Sequence, residues 1–320
     1  MFEKIVKSAF EIVSKDKKNT KIFYVLTHKK HRREIYFEGG SVQAISFMKF
    51  KFSGFWKNVF YILLKLGVIQ PFLKKIILPA SVGQLVFVAG QIKIFDFERK
   101  EVISFPMANE IKKKKFIEIK TFQKKVGAMG FAPRVYQIEE NLVFSREELV
   151  SPLKDKNAGK IFERLRDYYN LFGRVGKIDS KDFIINLKER LIVAGIKDNF
   201  IFSTLNFLNK KSIELKTLTI HGDFALGQIL EKNGRILFAD FEPSTNLITE
   251  DLSNFFRFSR TLLQNKEVRA VLKFYPETVR KNAAYYLILN EIYNLSLKPA
   301  YLNRAKIKIK ELMKHLFRDY

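Results

Sequence analysis

Residues 218–242 read LTIHGDFALGQILEKNGRILFADFE, and this stretch decides the fold. An apolar run, 218–220, leads into His221-Gly222-Asp223, where a loop must begin. Gln228 follows five residues after Asp223. Asn233-Gly234 is a strong two-residue hairpin turn, and it returns the chain along an apolar strand, 235–239, to Asp240-Phe241-Glu242. Such a hairpin folds Asp240 back beside Asp223 and Gln228, so three oxygen-bearing side chains are expected at one end of a small sheet. Mg2+ prefers oxygen ligands and is commonly held by one or two carboxylates plus substrate phosphates. Phosphoryl transfer needs such a metal, together with a carboxylate that orients or accepts the proton of the attacking hydroxyl.

Outward from this stretch, residues 84–88, 92–97 and 101–105 read as three strands joined by turns too short for anything but an antiparallel meander. A helix follows, with Ile111, Phe116, Ile119, Phe122, Gln123 and Val126 on one face and lysines on the rest. Residues 134–138 and 141–144 form a hairpin around Glu139-Glu140. Beyond Ser145 the chain reads as mostly helical, with helix-spaced apolar residues over 156–172, 180–194, 268–295 and 302–317. On the N-terminal side, 21–27 and 34–38 are strand-like, with Gly39-Gly40 as a turn. Residues 52–78 read as two short apolar helices broken at Pro71. Their aromatic and lysine content suits either a membrane surface or packing on their own domain, and the second reading is favoured.

Three strands, one helix and two strands are the order expected of the small lobe of a kinase-like fold, given the motif at 221–242. The protein-kinase plan places a catalytic-loop Asp five residues before a metal-binding Asn, with a second metal Asp after a hairpin. His221-Gly222-Asp223, followed by Asp240-Phe241-Glu242 and Asp251-Leu252, resembles the aminoglycoside phosphotransferase and choline kinase superfamily. The resemblance implies an α+β, bilobal protein kinase-like fold, with a small antiparallel-sheet lobe and a larger, mainly helical one. The expected division is 1–80 as an N-terminal extension of undetermined fold, 81–148 as the nucleotide-binding lobe and 149–320 as the helical catalytic lobe. The resemblance also implies ATP and Mg2+ as cofactors, Asp223 as catalytic base and Asp240 as metal ligand. Gln228 would replace the usual metal-binding Asn, His221 would be a structural residue of the loop, and Asp251 would open a helix and brace it.

The sequence departs from the family pattern in two places. Gln228 keeps the amide oxygen of an Asn but adds a methylene. The third small-lobe strand, EVISFPM (101–107), lacks the lysine that family members carry there. Lys100 and the run Lys112 to Lys115 are alternative sources of that charge. The usual glutamate partner on the next helix would be Glu118, whose other reading is a solvated residue among lysines. No glycine-rich phosphate loop, Walker A sequence or Gly-x-Ser-x-Gly elbow is present.

The 320 residues are 47% hydrophobic and 14% aromatic, which excludes a mainly disordered chain. The absence of cysteine excludes a disulfide framework and a thiolate metal site. His28, His31, Asp16 and Glu34 lack metal-ligand spacing, and His315 reads as a surface residue. The N-terminus lacks the pattern of a secretory signal, and a cytoplasmic protein, or one peripheral to the inner face of the membrane, is expected. The net charge of +25 has two readings, lysine-rich composition and an anionic partner. No nucleic-acid module accompanies the charge, so nucleic acid is not the expected partner. The expected activity is transfer of the γ-phosphate of ATP to a hydroxyl of a small molecule, a sugar or glycan, or a lipid headgroup. The alternative is a kinase-like protein that binds nucleotide or a partner without catalysis.

Overall fold

The computed structural model describes residues 2–14, 18–28, 33–51, 55–107, 110–222, 224–257 and 263–316. The chain divides into two compact units, Met1–Leu153 with Ile229–Ala239, and Lys154–Gln228 with Asp240–Tyr320. The first is built on an antiparallel sheet and the second is mainly helical, the α+β arrangement expected.

The first unit begins with α1 (Glu3–Val13), β1 (Thr20–His28), β2 (Arg33–Glu38), α2 (Val42–Lys51), α3 (Phe55–Lys65) and β3 (Lys74–Pro79). It continues with β4 (Leu85–Val88), β5 (Gln91–Asp96), β6 (Glu101–Pro106), α4 (Glu110–Ala128), β7 (Val135–Glu139), β8 (Phe144–Glu148) and the short β9 (Ser151–Pro152). Eight of these strands form one sheet in the order β3-β1-β2-β4-β5-β6-β8-β7. No boundary therefore falls at residue 80: β2 pairs with β4, and the first three strands extend the meander. Helix α1 places Val6, Ala9, Phe10 and Val13 at helical spacing against one face, in a core with Phe23, Tyr36, Ile94 and Ile103. On the other face, Ala44, Ile45 and Met48 of α2 and Tyr61 and Leu64 of α3 pack with Phe37, Leu85, Phe95 and Val102.

Several expectations are corrected. Residues 52–78 are not two helices: Pro71 lies in a 3-10 turn, Gln70–Phe72, and the following apolar stretch is strand β3. Its alternating burial, with Ile76 and Leu78 inward and Lys75 and Ile77 outward, is the period-two pattern of a strand. Residues 52–54 lie outside the described residues. The second strand of the later hairpin is 144–148, because Val143 turns the chain at a φ of 50°.

In the second unit, α5 (Ala158–Phe172), β10 (Val175–Asp179), α6 (Ser180–Val193), α7 (Asn199–Leu208) and β11 (Glu214–Ile220) precede a 3-10 turn, Leu226–Gln228. The hairpin β12 (Ile229–Lys232) and β13 (Arg235–Phe238) then belongs to the first unit, where β12 pairs with β9. The second unit resumes with β14 (Ser244–Leu247), α8 (Glu250–Phe255), α9 (Lys266–Leu272), α10 (Glu277–Lys281), α11 (Ala283–Leu297) and α12 (Leu302–Leu316). The single helical pattern read over 268–295 is thus three helices, with Pro276 and Asn282 at the starts of α10 and α11. The end expected at Phe317 lies outside the described residues. A three-stranded sheet, β10-β11-β14, sits among these helices, and α11 is apolar nearly all round because it is buried nearly all round. Among the described residues, no helix is long and apolar enough to cross a membrane.

Candidate active site

Strand β11 delivers the chain to the loop at His221. The loop backbone is then held from three directions. Asp251, fully buried in the first turn of α8, accepts from the His221 amide through Oδ2 at 2.8 Å and from the Gly222 amide through Oδ1 at 3.3 Å. Asn254, one turn along the same helix, donates from Nδ2 to the Gly222 carbonyl at 3.2 Å. The Glu242 amide donates to the His221 carbonyl at 2.9 Å, which ties the Asp-Phe-Glu segment to the loop.

Gly222 is required here. Its φ is 98°, and a Cβ at this position would lie 2.0 Å from the Glu242 carbonyl oxygen. Only glycine combines that backbone conformation with so close an approach.

Asp251 has a further donor, the Tyr169 hydroxyl. Burial and the neighbouring Asp251 charge push the Tyr169 phenol well above its ordinary range, so it stays protonated and donates. The imidazole of His221, fully buried, lies 4.5 Å from the Phe241 ring and 5.4 Å from the Phe224 ring, centroid to centroid. Phe241 in turn meets Tyr168, and Phe224 meets Phe162 and Phe255. Aromatic packing thus anchors the residues that follow each of the two key aspartates in sequence.

Asp223 itself lies outside the described residues. Gln228 ends the 3-10 turn, its amide donating to the Ala225 carbonyl at 2.9 Å, and its side chain is half-buried. Asn233 and Gly234 both have positive φ, 50° and 73°, as a two-residue hairpin turn requires. Ile229 pairs with Phe238, so Gln228 and Asp240 leave the hairpin at the same end. Asp240 is half-buried at a φ of 58°, a left-handed conformation that Asp tolerates better than most residues and that recurs at functional positions. The oxygen-only donor set of Asp240 and Gln228 suits a hard cation such as Mg2+. Among the described residues, no group of three His, Asp or Glu side chains is placed to hold a metal by itself.

In the sheet unit, Glu118 is exposed on α4. The buried polar residues of that helix are Lys120 and Gln123, 2% and 1% exposed. The Lys120 ammonium contacts both carboxylate oxygens of Glu147 on β8, at 3.0 and 3.1 Å, and Gln123 Oε1 at 3.1 Å. Glu147 also accepts from Ser104 Oγ at 2.9 Å and from Gln123 Nε2 at 2.5 Å. Burial alone would raise the Glu147 carboxyl, but Lys120 and Lys93 outweigh it and hold the group below its ordinary range. The helix therefore carries the cation and the sheet the anion, the reverse of the arrangement expected from Glu118. Sequence reading passed over Lys120, although it lies four residues after Phe116 and three before Gln123, on the buried stripe of the helix.

Beside Asp251, Glu250 is buried, and its pKa is raised to about 8 by desolvation first and then by the charges of Asp251 and Glu291. Its Oε1 accepts from Asn254 Nδ2 at 3.2 Å, the same amide that supports Gly222. The folded state thus keeps a proton that the unfolded chain releases near the ordinary value of 4.5. The resulting stabilisation is complete below that value and is lost as pH rises through about 8. Glu250→Gln is expected to gain stability relative to the native chain by about 1.4 kcal/mol per pH unit between about pH 5 and 8. Urea denaturation across that range measures the difference; a pH-independent gap would show that Glu250 ionises normally.

No family model matches the chain, and no curated protein matches it. Among solved structures, the choline kinase LicA from Streptococcus pneumoniae is similar at 15% identity and a TM-score of 0.46, over 70% of this chain and 90% of that chain. A choline/ethanolamine kinase family protein from Mesorhizobium loti is similar at 13% identity and a TM-score of 0.46, over 72% and 84%. The APH(2'')-IIa protein, in its gentamicin complex, is similar at 12% identity and a TM-score of 0.45, over 74% and 92%.

Proposed function

We propose that the protein is an ATP-dependent phosphotransferase acting on a hydroxyl of a small molecule, sugar or glycan, or lipid headgroup. One observation carries this reading: the backbone leading into Asp223 is clamped by Asp251, Asn254 and the Glu242 amide. These bonds satisfy buried polar groups, and they also fix the backbone from which Asp223 follows. Asp223 is the base in this reading and orients the attacking hydroxyl. Asp240 and Gln228 are the oxygen donors for Mg2+, which when bound neutralises charge on the phosphates. His221 and Asp251 position the loop in this reading. The charge of +25 favours an anionic acceptor.

The test is ADP release from ATP and Mg2+, with and without a panel of alcohols that includes choline, amino sugars and phosphorylated sugars. Acceptor-dependent release that disappears when Mg2+ is chelated is the expected result. A rise in melting temperature with ATP and Mg2+, but no transfer to any acceptor, would put nucleotide binding without catalysis in its place. Absence of both would overturn the reading.

A further inference from the structure

Residues 39–95 contain seven lysines and no acidic residue, in a chain with 33 Asp and Glu. Within this span, the connection from α3 to β3 is built so that apolar side chains stay outside. Gly67, at a φ of 77°, closes α3 in a Schellman motif. Its amide donates to the Leu64 carbonyl at 3.1 Å, and the Val68 amide donates to the Leu63 carbonyl at 3.0 Å. Gln70 Nε2 donates to the same Leu64 carbonyl at 3.3 Å. Ile69 and Leu73 turn inward and pack against the core shared by α2, α3 and the sheet. That leaves Leu66, Val68 and Phe72 outward, with Leu66 70% and Phe72 86% exposed.

The apolar surface continues on either side of the connection. Ile62, one turn before Leu66, is exposed on the same side of α3. On β3, Lys75 and Ile77 face outward, Ile77 beside its exposed cross-strand partner Ile22. Lysines flank the apolar residues: Lys65 precedes Leu66, and Lys74 and Lys75 come just after Phe72, all three exposed. Lys74 pairs with Glu3 at 2.8 Å and the Lys75 ammonium lies over the Tyr24 ring, yet both side chains still meet water. Single exposed apolar residues need no explanation, whereas a group of them flanked by charge marks an interaction surface.

We infer that this face of the first unit, centred on Phe72, rests on an anionic lipid surface. A bilayer offers anionic headgroups directly above an apolar layer. A lysine can therefore keep its ammonium among the headgroups while the apolar residues beside it enter the acyl boundary. A protein partner fits less well, because lysine is depleted from protein–protein interfaces. A second copy of the chain fits worst, because a two-fold contact would set the same lysines against each other. The surface lies within the first unit and stands apart from the phosphotransferase reading.

Flotation of the full chain with phosphatidylcholine vesicles, with and without an equal part of phosphatidylglycerol, tests the assignment. Binding is expected on the anionic vesicles, weaker on the neutral ones and falling as salt rises. Phe72→Ser should weaken it about 10- to 100-fold, the effect of removing one large apolar side chain from the lipid. Lys65→Gln with Lys75→Gln should cost about 5-fold for each lysine lost. Lys114→Gln with Lys115→Gln, two exposed lysines on α4, should spare binding, and every variant should melt within about 2 °C of the native chain. Native binding by Phe72→Ser, or an equal loss from the α4 pair, would mean attraction by net charge alone and would overturn the assignment. Absence of vesicle binding would overturn it too, and a dimer that Phe72→Ser dissociates in sedimentation velocity would then give the face to a second copy.

Discussion

Asp223→Ala is expected to slow phosphoryl transfer about 10^2- to 10^4-fold, the usual contribution of a positioned general base. The loss should fall on kcat, with little change in the KM for ATP, because Asp223 is assigned to the hydroxyl and not to the nucleotide. The melting temperature should hardly move. The loop is held by the His221 and Gly222 amides on Asp251, by Asn254 and by the buried ring of Phe224. Asp240→Ala is the informative comparison, since loss of a metal ligand should raise the Mg2+ concentration needed for half-maximal rate. Initial rates of ADP formation over a range of ATP and Mg2+ separate the two. Full transfer by Asp223→Ala with the native acceptor would remove Asp223 from the mechanism.

Lys120→Met should be among the most damaging single substitutions in the sheet unit, at about 3–5 kcal/mol. The cost comes from what stays behind. Glu147 would remain buried and charged, with hydrogen bonds from Ser104 and Gln123 and with Lys93 partly in water. Removing both charges is a different experiment: Lys120→Met with Glu147→Leu replaces an ion pair by apolar volume and should recover much of the loss. Chemical denaturation of the two single variants and the double measures the coupling. A cost for Lys120→Met below about 1 kcal/mol would mean that the pair does not fasten α4 to the sheet.

What the sequence disclosed follows the range of the interactions involved. The β12–β13 hairpin was legible because Asn233-Gly234 sets its register locally, and β4, β5 and β6 were legible because their turns are short and their faces alternate. Residues 74–79 were misread because their strand character depends on pairing with β1, some fifty residues earlier in the chain. Their lysines also broke the apolar run in a way that resembles a helix end. The reading of α4 placed Ile111 on the buried face, where it is 81% exposed, and missed Lys120. A lysine at an inward position reads as outward until the waiting carboxylate is known, and Glu147 lies 27 residues further on. Asp251 was legible from its Asp-Leu context, whereas Tyr169 reaches it across 82 residues with no local signal.

The return of residues 229–239 to the first unit bears on how the protein is made. Strand β9 is synthesised long before β12, its hydrogen-bonded partner, and Phe131 likewise awaits the Phe238 amide that donates to its carbonyl at 2.8 Å. A ribosome releasing the chain from its N-terminus exposes the edge at β9 until all of residues 154–228 have emerged. The first unit cannot be completed before the second is begun. A gene fragment ending at residue 153 would encode a sheet unit lacking its last two strands, and one starting at 154 would carry a hairpin without its partner.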